Sequence, residues 1–188
     1  MFKKVLKLSA LVMCMMVGLG GCVGNTSHSK VKFEMEDGTT FTVELYPEYA
    51  PDTVANFIKL VNDGFYNGLT FHRVIPGFVV QGGCPEGTGM GGSGKNIKGE
   101  FASNGYNKNT LSHKKGVISM ARAKEPNSAS SQFFICVDDA SYLDGDYAAF
   151  GAVVDGLENV DAIAAVPTDL SDKPMTPVVM KNVSVVTE

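Results

Sequence analysis

The sequence predicts an all-β domain, a barrel of short strands plugged by helices, behind an N-terminal export segment. Three observations predict it. Short alternations of apolar and polar residues recur from residue 30 onward, the period-2 pattern of strands with one buried face. Turn signals rich in Gly, Pro, Asp and Asn separate them. Only two stretches, residues 54–61 and 157–164, carry the spacing of an amphipathic helix. A chain of 188 residues accommodates one such domain and a leader, and it contains no internal repeat.

The elements follow in order. Val31, Phe33 and Met35 lie on one face of a strand, Asp37-Gly38 marks a hairpin turn, and Phe41, Val43 and Leu45 return. Asp52 or Thr53 is expected to cap a helix whose Val54, Phe57, Ile58 and Val61 form one face, and Gly64 ends it. Residues 71–83 read as two apolar arms around the turn Pro76-Gly77. Residues 82–94 form a glycine-rich loop, and residues 102–115 are polar and turn-rich. Strands are expected at 116–121, 132–137 and 148–154, with a long loop at 122–131 and a turn at 142–147. Leu157, Val160, Ile163 and Ala164 suit a short helix that stops before Pro167, and residues 177–186 read as the last strand.

The N-terminus is a targeting segment. Lys3, Lys4 and Lys7 precede an uncharged apolar run, residues 8–19, too short for a span of about 20 residues. Leu19-Gly20-Gly21-Cys22 then resembles a bacterial lipobox, which implies cleavage after residue 21 and lipid on Cys22. Residues 22–29 read as the lipidated cysteine and a small, polar tether, and residues 30–188 as the domain. The expected location is the cell membrane, lipid-anchored, with the domain on the extracytoplasmic side. Losing the three leader lysines would take the net charge from −4 to −7. With no lysine and arginine cluster beyond Lys114-Lys115, nucleic acid is excluded as a partner. Cys84 and Cys136 are expected as free, buried thiols. Without a CxxC or Cys/His cluster, neither a metal nor an organic cofactor is expected.

Two stretches tempt other readings. Residues 89–95 nearly match a phosphate-loop spacing, but Asn96 stands where a magnesium-binding hydroxyl belongs, and no helix follows to present its N–H groups. His72 beside Arg73 suggests acid–base chemistry, yet a regular strand would turn it to the opposite face. His113 has no evident Cys, Ser or Asp partner at motif spacing, and His28 falls in the tether.

The functional signal is the stretch Phe71-His72-Arg73-Val74-Ile75-Pro76-Gly77-Phe78-Val79-Val80-Gln81-Gly82-Gly83. Its Pro-Gly turn lets Arg73, Phe78 and Gln81 share a face: a guanidinium, a ring and an amide, which suit a planar polar group such as the peptide bond before proline. With Ser119-Met120-Ala121, Ser131-Gln132-Phe133-Phe134-Ile135, Leu143-Asp144-Gly145 and Phe150-Gly151, this stretch resembles the cyclophilin family of peptidyl-prolyl cis-trans isomerases across residues 30–188. The resemblance implies a closed eight-stranded antiparallel β-barrel capped by two α-helices, with a filled interior and a groove on its outer face. It implies Arg73 as the catalytic residue and Phe78, Phe134 and Leu143 as walls of a proline pocket, with Val79 at its floor and Tyr147 at its edge. Gln81 and Gln132 would hold substrate and orient the arginine, and the backbone of Ala121 and Arg122 would pair with an extended peptide. The implied partners are proline-containing polypeptides, here exported proteins; the sequence does not name the oligomeric state, and a monomer is the default expectation. Tyr142 stands where many members carry tryptophan, so affinity for cyclosporin is expected to be weakened. The other reading these residues leave open is a proline-peptide binding module or chaperone whose isomerisation is incidental.

Overall fold

The computed structural model describes residues 28–186. The expected signal peptide and the lipid site at Cys22 lie outside the described residues. Eight strands and two helices form in this order: β1 (Lys30–Met35), β2 (Thr40–Leu45), α1 (Pro51–Asn62), β3 (Phe71–Ile75), β4 (Val79–Gly82), β5 (Val117–Met120), β6 (Phe133–Cys136), β7 (Ala149–Asp155), α2 (Leu157–Ala164) and β8 (Met180–Val186). Short 3₁₀ turns at Ala102–Asn104 and Ser141–Leu143 punctuate the long connections. His28 and Ser29, expected in the tether, already touch the domain. The Ser29 carbonyl accepts the Leu45 N–H, and the His28 ring lies edge-on to Tyr46.

The strands make one antiparallel sheet in the order β3-β4-β6-β5-β7-β2-β1-β8. Its inner face is filled by aromatic rings. Phe33 and Phe41, paired across β1 and β2, stack with centroids 4.5 Å apart. Phe57 from α1 packs on Tyr66, Phe133 and Phe150. These rings are buried, and the one polar atom among them is satisfied: the Tyr66 hydroxyl donates to the Ser131 carbonyl at 3.0 Å. An interior packed this way leaves no room for a substrate, so any site must lie outside.

The sheet rolls up but does not close as a continuous ladder, which corrects the expected closed barrel. The edge strands β3 and β8 share no ladder. They are joined only at their starts, by the Thr70–Val179 bridge and by the N–H groups of Gly68, Phe71 and Met180 bonding to Met180, Val178 and Leu69. Farther along β3, the connection from α2 lies where the ladder would continue. It carries Pro174 and Pro177, which have no N–H to donate.

Helix α1 packs against β8, and α2 against β2, β3 and β4. The start of α1 differs from expectation. Its cap position is Ala50, which has no side-chain acceptor, and Pro51 occupies the first turn. The carboxylate of Glu100 replaces the missing cap from a distant part of the chain. It accepts the N–H groups of Asp52 (3.1 Å) and Thr53 (2.8 Å) and the Thr53 hydroxyl (2.7 Å). Gly64 ends the helix with φ +68°, as its position suggested.

Candidate active site

Alternation along the strands sorts the two faces. In β6, Phe133 and Ile135 enter the main core, whereas Phe134 and Cys136 face outward. In β4, Val80 goes inward, and Val79 and Gln81 outward. Register then aligns one outer row across four strands: Arg73 opposite Gln81, Gln81 opposite Phe134, and Phe134 opposite Ser119. A second, smaller apolar cluster sits on this outer face. Val79, Phe134, Cys136 and Ala140 form its base, and Phe78, Ala121, Leu143 and Tyr147 pack around them.

A cavity of about 620 Å³ opens over that cluster. Arg73, Phe78, Val79, Gln81, Ala121, Arg122, Phe134, Leu143 and Tyr147 all line it. Among the site residues expected from sequence, only Gln132 does not. It lines the adjoining groove with Gln81, Ala121, Arg122 and the glycine-rich loop. One wall is therefore apolar and the other is a guanidinium.

A directed chain of hydrogen bonds holds the polar wall. Arg73 Nη1 donates to Gln81 Oε1 (3.3 Å), and Gln81 Nε2 donates to Gln132 Oε1 (3.0 Å). Gln132 Nε2 donates to the carbonyls of Gly89 (2.8 Å) and Gly91 (2.7 Å). Both donors of Gln132 are thus spent on the loop, so it braces Gln81 and has no donor left for a substrate. Arg122 is also committed. Its Nε and Nη1 donate to the carbonyls of Asp146, Ala123 and Lys124, and its guanidinium lies 4.7 Å from the centroid of Tyr147. The Ala121 N–H is taken up by the Gln132 carbonyl. Tyr142 stands outside the cavity, 70% exposed and stacked on Phe78 at 5.9 Å.

Both decoy histidines depart from the sequence reading. The β3–β4 register shifts between Phe71 and Arg73. This bulge keeps Phe71 and Val74 in the core and turns His72 to the outer face, where it lines the same cavity as Arg73. The imidazole is 6% exposed, and neither nitrogen has a hydrogen-bond partner among the described residues. Burial therefore pushes its pKa down. His113 does have the partners the sequence did not reveal. A carboxylate can only accept, so Nδ1–H donates to Asp144 Oδ1 (2.8 Å), and the Ser119 hydroxyl donates to Nε2 (2.9 Å). This is the order of a Ser–His–Asp relay, but Ser119 is fully buried in the sheet and no substrate can reach it. The pair instead ties the turn carrying Leu143 to the back of Phe134, on which the His113 ring stacks. Burial lowers the His113 pKa, opposed by Asp144.

Cys84 and Cys136 are free and buried. Burial first, then Asp144 and Asp139, push the Cys136 thiol up to about 12, which keeps it protonated under the pocket floor.

Comparison with known proteins decides the family. The family described as cyclophilin type peptidyl-prolyl cis-trans isomerase matches residues 30–185. The chain belongs to the cyclophilin family. It is a peptidyl-prolyl cis-trans isomerase. Its relatives include peptidyl-prolyl cis-trans isomerase B of Bacillus subtilis, 54% identical over 126 residues, which cover 67% of this chain and 84% of that protein. A peptidyl-prolyl cis-trans isomerase of Synechococcus elongatus is 48% identical over 141 residues, 71% of this chain and 91% of that protein. Among solved structures, a cyclophilin-type isomerase of Cryptosporidium parvum matches with a TM-score of 0.77 and 33% identity, over 86% of this chain and 99% of that one. A second structure of that protein was determined in the presence of the dipeptide Ala-Pro, with a TM-score of 0.76.

The sequence missed three contributors around this cyclophilin site. The bulge at His72 follows from no residue pattern. The Asp144–His113–Ser119 cluster joins residues on three separate segments. Asp172, at 3.6 Å from Arg73 Nε, lies 99 positions away in sequence, and only its place in a run of turn-forming residues marks it.

Proposed function

We propose that Arg73 drives rotation of X–Pro bonds in polypeptides laid along this groove, and that the protein does so for exported chains from a lipid anchor on Cys22. The observation that carries the catalytic reading is the juxtaposition of a braced guanidinium with an apolar, ring-lined pocket wall. Rotation about an X–Pro bond is opposed by amide resonance, with a barrier of about 18–20 kcal/mol. Spontaneous exchange takes tens to hundreds of seconds. Reaching about a millisecond requires roughly 6 kcal/mol, at 1.36 kcal/mol per tenfold.

No covalent step is needed. As the bond twists, the prolyl nitrogen becomes pyramidal and recovers its lone pair. A fixed Arg73 N–H aimed at that nitrogen stabilises the twisted state more than the planar one, and that difference is catalysis. Such a charge-assisted bond contributes about 1.5–3 kcal/mol. The remainder comes from gripping the proline ring between Phe78, Phe134 and Leu143 while the chain on the other side of the bond turns. Arginine serves better than lysine because its fork is planar and always charged. Nη1 is committed to Gln81, while Nη2 has no hydrogen-bond partner among the described residues.

The export reading rests on residues 1–22: a basic start, a short apolar run and Leu19-Gly20-Gly21-Cys22. Proline-containing exported proteins are then the substrates, and the monomer is the working unit. Tyr142 stacks on Phe78 at the rim, where it supports weak affinity for cyclosporin.

The test is exchange spectroscopy on a short Ala-Pro peptide with catalytic amounts of wild type or Arg73→Ala. Wild type should accelerate exchange, and Arg73→Ala should lose at least 30-fold while keeping its circular dichroism. A folded Arg73→Ala protein that turns over at the wild-type rate refutes the role of Arg73.

A further inference from the structure

We propose that Asp172 is a positioning residue for Arg73, setting a carboxylate beside Nε while Gln81 holds Nη1; this rests on the reading of Arg73 as the catalytic group. Asp172 sits in the connection between α2 and β8, outside every motif that marks the site. Three independent features single it out. It is the only non-glycine residue with positive φ among the described residues, at +61°. A residue with a Cβ avoids that conformation unless its surroundings hold it there, and Asp and Asn tolerate it best. Its carbonyl accepts the Val74 N–H at 2.7 Å, which fastens this backbone to β3 one residue beyond Arg73. Its carboxylate then lies 3.6 Å from Arg73 Nε.

The loop around it is built to keep that placement. The Asp169 carboxylate accepts the N–H groups of Ser171 (2.8 Å) and Lys173 (3.0 Å), the Asp169 N–H bonds to the Lys173 carbonyl (2.9 Å), and Thr168 bridges Pro174. Ser171 and Lys173 on either side line the same cavity as Arg73. An arginine side chain is long and loses much rotamer freedom when ordered. Gln81 alone holds one corner of the fork. A carboxylate near Nε adds a second point of restraint, which fixes the plane and leaves the Nη2 corner for the substrate. Restraint of this kind acts on the turnover step, because the groove binds peptide through other residues.

The experiment uses Asp172→Asn and Asp172→Gly in the full chain, with Arg73→Ala and the two double variants. Both new residues accept positive φ, so each keeps the backbone while removing the charge. Peptide exchange gives kcat and KM, and thermal melting reports the fold. Both variants should lose kcat about 3- to 10-fold with KM within about twofold of wild type and no fall in Tm. In the Arg73→Ala background neither change should alter the residual rate. If Asp172 served only the backbone, Gly would match or exceed wild type in kcat, and that result overturns the proposal while leaving Arg73 as the catalytic residue. A loss of kcat that tracks a loss of folded protein, or that persists in the Arg73→Ala background, overturns it too. Full activity of folded Arg73→Ala overturns both this proposal and the reading beneath it.

Discussion

At the scale of single residues, the bulge in β3 decides what Arg73 has beside it, because it brings His72 into the same cavity. Arg73, Phe78 and Gln81 could be set on one face from a single Pro-Gly turn, and all three line one cavity, whereas Val79 and Phe134 were placed only through the family resemblance. His72 could not be placed, because one extra residue in β3 reverses the face on which it lies. That reversal has a measurable consequence, shared with His113. Burial is the leading cause that lowers both folded pKa values below the ordinary 6.5, so the unfolded chain takes up protons first as pH falls. The stability tied to these two imidazoles is complete above pH 6.5 and is lost progressively below it, until the folded pKa values are reached. Each contributes a slope of up to about 1.4 kcal/mol per pH unit. The Asp144 carboxyl is pulled the other way by burial but ends below its ordinary value through bonds from Ser112 and His113, so its loss adds only at more acid pH. Urea unfolding at pH 7.5 and pH 5.5 should show a lower midpoint at pH 5.5, and His72→Gln should reduce the difference. Equal midpoints would show that neither imidazole resists protonation in the fold.

At the scale of elements, existence was easier to read than boundaries. All eight strands and both helices lie near where periodicity and turn residues put them, because each is short, has one buried face and ends at a turn signal. The start of α1 was misread for a physical reason. A cap is normally supplied by the residue at the cap position, and Asp52 and Thr53 looked suitable. Ala50 holds that position instead, and the carboxylate comes from Glu100, buried to 1% exposure and brought in by the tertiary fold. Its negative charge also complements the positive end of the helix dipole. Glu100→Gln keeps the volume but replaces one acceptor with a donor, which leaves at least one N–H or hydroxyl of Asp52 and Thr53 without a partner. The cost should be about 1–3 kcal/mol. Thermal melting should show a Tm lower by several degrees, with KM for the Ala-Pro peptide unchanged because Glu100 does not line the groove. An unchanged Tm would mean that water replaces the carboxylate at no cost.

At the scale of the whole molecule, composition and motif order were enough for the family, but neither the sheet order nor its open seam could be read from them. Neighbours such as β4 and β6, or β7 and β2, are brought together by long connections that have no local signature. The seam between β3 and β8 is where the connection carrying Asp172 reaches the site, so the departure from a closed barrel and the restraint on Arg73 have one origin. The place of the whole chain in the cell turns on its N-terminus. His28, only six residues after Cys22, packs on Tyr46 of the domain, so a lipid on Cys22 would hold the domain close to the bilayer. Burying acyl chains contributes about 0.8 kcal/mol per CH₂, and stable anchoring takes more than one chain. A host expressing the full protein should incorporate radiolabelled palmitate into wild type and none into Cys22→Ser. Mass spectrometry of the wild-type N-terminal peptide should show acyl chains on a cysteine that has lost residues 1–21. Isomerase activity of the two proteins, measured in detergent on the Ala-Pro peptide, should be equal, because the groove is built from residues between His72 and Lys173. Label that persists in Cys22→Ser, or a wild-type N-terminus that retains Met1, would overturn the anchor and leave the isomerase as it stands.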